Sequence, residues 1–197
     1  MISQRIADLR HFYGLLDSLA ERLGGPRTLT TCSGRLGWPR RGVYFFMEQG
    51  EIRTDSGSGP RITRVGTHAL NEGSGTKLRS RLSQHRGPER SGGGNHRGSI
   101  FRLIVGTGVI ARKGYVHPTW GAGNNAPRDV REAEHDLERE VSQIIGAMPF
   151  LWLAVDDEPG GARSRQRRPF AEQAETEPCN MLQLEINCSE AAAQSPH

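Results

Sequence analysis

Residues 42–85 constrain this chain of 197 residues more than any other stretch. Two short apolar runs, Gly42-Val43-Tyr44-Phe45-Phe46-Met47 and Ile62-Thr63-Arg64-Val65-Gly66, flank a loop rich in Gly, Ser and Asp. β-Branched and aromatic side chains pack well on a pleated surface, and Gln49-Gly50 and Asp55 to Pro60 punctuate the gap. The runs are therefore expected as antiparallel strands at 42–48 and 61–66. Their connection is too long for a tight hairpin turn. A basic segment follows, in which Leu78 and Leu82 are four apart, as are Lys77, Arg81 and His85. That spacing predicts a helix near 76–86 with one buried and one basic face.

The flanking sequence supplies further helices and a third strand. Ile6, Leu9, Phe12, Tyr13, Leu16, Leu19 and Leu23 recur at three- and four-residue steps, which predicts a helix over 3–23 that stops at Gly24-Gly25-Pro26. His11 and Tyr13 are read as core or flank residues of that helix, and Trp38 as packing against the sheet edge. Residues 99–110 run apolar through Ile100, Phe101, Leu103, Ile104, Val105, Val109 and Ile110 and fit helix or strand by composition. Val130, Ala133, Leu137, Val141 and Ile144 or Ile145 give a buried stripe to a helix over 129–145, with Glu132, Glu134, Glu138 and Glu140 assigned mostly to the solvent face. Phe150 to Val155 reads as a buried strand. The expected class is α+β: a small three-stranded, antiparallel-type mixed sheet flanked by helices. Beyond residue 158 the charge sorts into a basic block at 163–168 and an acidic one at 172–177, so 158–197 is expected as a disordered tail.

Composition removes several function classes. Three cysteines, Cys32, Cys179 and Cys188, form neither a disulfide framework nor a zinc ribbon. No apolar run approaches a membrane span, so a cytoplasmic protein without a membrane partner is expected. The glycine-rich stretch at 87–98 lacks the order of a P-loop, which argues against a nucleotide cofactor; a mobile basic lid is the better reading. His96 and His117 have no partner at metal-ligand spacing. Residues 76–98 carry six Lys or Arg against Glu89 alone, a distribution that suits a phosphate-facing surface or a solvated helix face.

The order of parts in 42–85 resembles the GIY-YIG nuclease superfamily, in which a GIY-type strand, a YIG-type strand and a helix with an R-x3-H pattern build one phosphodiesterase site. The counterparts here are Gly42-Val43-Tyr44, Arg64-Val65-Gly66, and Arg81 with His85. The resemblance implies a nuclease domain at 38–157 after an N-terminal helix at 1–27, and it favours a helix at 99–110, where Ile100, Leu103 and Ile104 fit one face. It implies a DNA endonuclease that uses a single Mg²⁺ or Mn²⁺, or, in another class, a non-catalytic nucleic-acid-binding module that keeps the cationic surface. Tyr44 would orient or deprotonate the attacking water, Arg81 would bind the scissile phosphate and His85 would move a proton or contact phosphate. Arg64, Gly66 and Lys77 would border the substrate.

Two departures bear on activity. Arg64 stands where the family commonly has Tyr, and a guanidinium cannot serve as a base near neutral pH. The family also places a metal-binding Glu on a helix after the third strand; Glu172 is nearest by order, but its surroundings do not match, so the metal ligands stay unassigned. Gly160, Gly161, Pro169 and the sorted charge of the tail, a pattern that a shifted reading frame would produce, lead to the expectation of DNA binding with feeble or absent cleavage. Substrate sequence and oligomeric state are not written in these residues.

Overall fold

Side chains alternate across a strand, so one apolar run in the middle of a sheet feeds two cores. In the computed structural model, which describes residues 2–70, 75–88 and 93–155, that central strand is β1 (Gly42–Ile52). It pairs antiparallel with β2 (Pro60–His68) on one side and with β3 (Phe150–Ala154) on the other. Val43, Phe45 and Met47 meet α1 (Ile2–Leu23) through Phe12, Tyr13, Leu16 and Leu19. Tyr44 and Phe46 face the opposite way. There α2 (Leu78–Arg86), α3 (Ile100–Lys113) and α5 (His135–Ala147) cover the sheet with Leu78, Leu82, Phe101, Val109, Leu137, Val141 and Ile145. Fully burying one such side chain contributes about 1.5–3 kcal/mol, so this second core anchors α2 firmly over Tyr44. Trp38 closes its edge over β3, with ring centroids 6.5 Å from Phe150 and 5.1 Å from Trp152.

Several expectations need correction, and most fail for one reason: charged groups lie inside. The helix expected over 129–145 is α4 (Arg128–Ala133) followed by α5, with Glu134 between them. Ala133 is exposed and Val130 only half-buried. Glu134 and Glu138, assigned to the solvent face, are 1% and 4% exposed because they pair with Arg97 and Arg102. α3 is a helix, as the resemblance implied, yet it buries Phe101, Arg102, Gly106 and Val109 while Ile100 and Ile104 are exposed. Gln49-Gly50 does not end β1; the irregular ladder between Met47 and Ile52 absorbs it. Residues 93–98 are packed rather than lid-like: His96–Gly98 form a 3₁₀ turn with His96 buried. The rest of the expected lid, 89–92, and the tail from 158 onward lie outside the described residues, and no described helix is long and apolar enough to cross a membrane.

Candidate active site

Tyr44 of β1 and Gly66 of β2 stand directly opposite each other in the ladder. A Cβ at position 66 would land on the hydroxyl end of the Tyr44 ring, well inside the 3.0 Å that real Cβ atoms keep, so only glycine lets the strand pass over that phenol. A Cβ at Gly42 would likewise collide with the Leu153 carbonyl oxygen. The glycines of both motifs are thus close-approach positions.

His85 reaches Tyr44 from above. The basic-face expectation placed His85 outward with Lys77 and Arg81, but it lies seven residues after Leu78 and three after Leu82, on the buried face of α2. Its Nε2 is 2.7 Å from Tyr44 Oη, and its Nδ1 is 2.7 Å from Ser99 Oγ. Ser99 is the N-cap of α3, where its Oγ accepts the Arg102 amide hydrogen at 3.3 Å. Tyr44, His85 and Ser99 are 1%, 0% and 2% exposed. Tyr44, His85 and Ser99 therefore form a sealed hydrogen-bonded chain.

Positive charge surrounds this chain. Arg64 shares the sheet face of Tyr44; its guanidinium carbon sits 5.8 Å from the Phe101 ring centroid, and its buried Nε has no partner among the described residues. Arg81 is half-buried and donates from Nη1 to Gln84 Oε1 at 2.6 Å. Burial, then the charges of Arg81, Arg64 and Arg102, push the His85 imidazole from 6.5 down to about 3, so it is neutral at physiological pH. The same field attracts a phosphate. Lys77 is exposed at the N-cap of α2, eight residues and about 12 Å of helix rise from His85, so it is not part of the Tyr44–His85 pair.

Sequence reasoning missed Ser99, Arg102 and Glu138. Arg102 is fully buried: its Nη1 donates to the His85 and Arg86 carbonyls at 2.9 and 3.0 Å, satisfying the carbonyl end of α2, while Nε and Nη2 pair with the Glu138 carboxylate. Glu138 Oε1 also accepts from the His96 amide at 2.6 Å. His96 is not a loose loop histidine: it stacks on Trp120 at 3.8 Å, and its Nε2 accepts from the Gly121 amide at 3.1 Å. That bond leaves its hydrogen on Nδ1, 2.9 Å from Glu138 Oε1. Arg97 binds Glu134 through both terminal nitrogens at 2.6 and 3.0 Å; burial alone would raise the Glu134 carboxyl, and Arg97 and Thr119 more than reverse it. One signal for Arg102 was visible, a lone charge inside Ile100-Phe101-Arg102-Leu103-Ile104-Val105.

A cavity of about 920 Å³ lies along the exposed face of α2 beside Arg79, Ser83, Gln84, Asn95 and His135, apart from Tyr44 and His85. Among the described residues no group of three His, Cys, Asp or Glu side chains could hold a metal ion, and the charges ringing Tyr44 are guanidiniums, which repel a cation. The described residues do not fit a divalent ion; Glu172 lies outside them.

A family model described as a GIY-YIG domain matches residues 3–174. The chain belongs to that family, and membership points to nuclease activity. GIY-YIG nucleases in general act on DNA and depend on a divalent metal. No curated protein and no solved structure matches the chain.

Proposed function

We propose that the chain is a GIY-YIG-type endonuclease that hydrolyses phosphodiester bonds of DNA where β1, β2 and α2 meet. The observation that carries this reading is the buried Tyr44–His85 pair, 2.7 Å apart, under the charges of Arg64 and Arg81. Hydrolysis needs a water aligned with the phosphorus and charge stabilisation on a pentacoordinate phosphate. Arg81 and Arg64 bind the non-bridging oxygens, the planar fork of a guanidinium matching two of them at once. Tyr44 aligns the attacking water from under Gly66, where the absence of a side chain lets the strand pass close to its hydroxyl end. His85, neutral and fixed at both ring nitrogens, holds the phenol in place. Lys77 contacts the DNA backbone farther along α2. The nuclease domain is assigned to 38–157, with the helix at 1–27 as support and 158–197 as a tail.

A Mg²⁺ or Mn²⁺ requirement belongs to the proposal, with the carboxylate that would hold the ion unassigned; cytoplasmic residence, where a free thiol such as Cys32 stays reduced, belongs to it as well. The test is incubation of the purified chain with end-labelled duplex and single-stranded DNA in Mg²⁺ and in Mn²⁺. Cleavage by the native chain, lost in Tyr44→Phe and Arg81→Ala variants that keep their melting temperature, supports the proposal. Cleavage undiminished in Tyr44→Phe removes Tyr44 from the chemistry. Binding without cleavage in either metal leaves a non-catalytic DNA-binding module.

A further inference from the structure

The exposed face of α2 borders an open cleft of about 920 Å³, inside the range of about 300–1,000 Å³ common to ligand sites. Its opposite wall, residues 93–95, is pinned from behind: Gly94 lies so close to the Arg102 guanidinium that a Cβ there would overlap it. Arg79 and Arg86 bring two cations to the lining, and Arg86 also donates from Nη1 to the Leu29 carbonyl at 3.0 Å. None of the described residues that line the cleft is Asp or Glu. Two side-chain amides there are oriented by partners that can only donate. Gln84 Oε1 accepts from Arg81 Nη1 at 2.6 Å, and Asn95 Oδ1 accepts from the Arg97 backbone amide at 3.0 Å. A guanidinium and a backbone N–H offer no lone pair, so each amide oxygen must face its donor and the NH₂ group is what remains. Neither NH₂ group has an acceptor among the described residues. Gln84 Nε2 lies over Gly98, itself part of the lining, 3.4 Å from where a Cβ would stand.

A cleft that offers N–H donors and positive charge, with both side-chain amide oxygens already taken, selects a ligand that is anionic and rich in acceptors. We propose that it is a second phosphate subsite for nucleic acid, in which Gln84 Nε2, Asn95 Nδ2 and Arg79 hold the backbone phosphate next to the one on Arg81. The identity of that ligand rests on the nuclease reading. Gln84 links the two positions: its oxygen fixes Arg81 Nη1, and its nitrogen meets the neighbouring phosphate. Lys77, Arg81 and Gln84 then mark a strand path covering about 10 Å of helix rise along α2. Contacts to phosphate set register and affinity and read no base, so the subsite serves every sequence alike.

Gln84→Glu and Asn95→Asp keep the oxygens that Arg81 and the Arg97 amide need, and each replaces the free donor by a carboxylate oxygen. Gln143→Glu, at an exposed position of α5 about 12 Å of helix rise beyond His135, adds the same charge away from the cleft. Binding of the whole chain to labelled duplex DNA is measured at pH 7.5 in EDTA, where a metal-dependent cut cannot occur. Side-chain amide ¹H–¹⁵N signals are recorded with and without DNA, those of Gln84 and Asn95 being identified by their loss in the two variants. Both signals are expected to move on DNA. Each cleft variant should weaken binding roughly tenfold, the scale of one hydrogen bond to a charged group, on any duplex sequence and at an unchanged melting temperature, while Gln143→Glu binds as the native chain does. Arg79→Ala should lower the slope of log K against log salt by about 0.9. Amide signals that DNA leaves unmoved overturn the proposal, as do losses no greater than that of Gln143→Glu. Weakening in Gln84→Glu alone reports a disturbed Arg81 and overturns it too, because Asn95→Asp does not touch Arg81. A chain whose binding depends on Arg81 but on neither amide defeats the subsite alone. A native chain that binds no DNA, in EDTA or in Mg²⁺, defeats the nuclease reading and the subsite together.

Discussion

Acid should unfold this protein through His85. In the unfolded chain the imidazole takes up a proton near pH 6.5, whereas in the folded protein burial and the charges of Arg81, Arg64 and Arg102 delay that uptake to about pH 3. Between those values the unfolded state binds more protons than the folded one, so stability rises with pH across the window and falls on acidification. The full stability is present above about pH 6.5 and is lost progressively as pH drops toward 3. At pH 5 nearly every unfolded chain carries the proton and almost no folded chain does, and the loss relative to pH 7.5 comes to about 2 kcal/mol. Other groups titrate in the same range, so the measurement is a difference. Urea unfolding of the native chain and of His85→Gln is followed at pH 7.5 and at pH 5. The variant is less stable at pH 7.5, since it breaks the bonds to Tyr44 and Ser99, yet it should lose about 2 kcal/mol less than the native chain on going to pH 5. Equal losses in the two proteins refute the argument, as does an NMR titration in which the His85 ring protonates near 6.5 while the fold is intact.

Three further outcomes follow from the geometry. Gly66→Ala forces a methyl onto the Tyr44 ring end; it should destabilise by about 1–3 kcal/mol and break the Tyr44–His85 bond, read as a loss of thermal stability together with a changed His85 signal. Arg102→Met strands the buried Glu138 carboxylate and frees two terminal carbonyls of α2, an expected loss of about 3–5 kcal/mol that Arg102→Met with Glu138→Leu largely restores; a double variant as unstable as the single one contradicts the ion-pair account. Arg81→Ala should weaken duplex binding and reduce the slope of log K against log salt by about 0.9, the release of roughly one counterion; an unchanged slope removes Arg81 from the phosphate.

What the sequence revealed and what it hid divide along one physical line. Strand and helix periodicities are local, so the strands expected at 42–48 and 61–66 and the helix expected near 76–86 were readable from spacing and composition, whereas the central place of β1 between β2 and β3 was not. Buried charge is not local. Arg102 and Glu138 are 36 positions apart, and each alone looks like a solvent residue on an amphipathic helix; only their meeting behind α2 makes burial tolerable. The same logic misplaced His85. Counting from Lys77 and Arg81 put it on a basic face, whereas counting seven residues from Leu78 puts it with the core; the choice turns on whether a histidine finds partners inside, and those partners, Tyr44 and Ser99, come from β1 and the cap of α3. Ser99 itself carried a readable sign, a serine directly before an apolar helical run, but that sign speaks only of capping. Its second bond exists because α3 begins where α2 ends, with Arg102 tying the start of one helix to the last carbonyls of the other. The buried ion pair thus fixes the distance across which Ser99 and His85 meet. On this account a variant that loosens the Arg102–Glu138 pair while keeping the fold should lengthen or break the Ser99–His85 bond even with Ser99 intact, read as a change in the His85 ring ¹⁵N shifts.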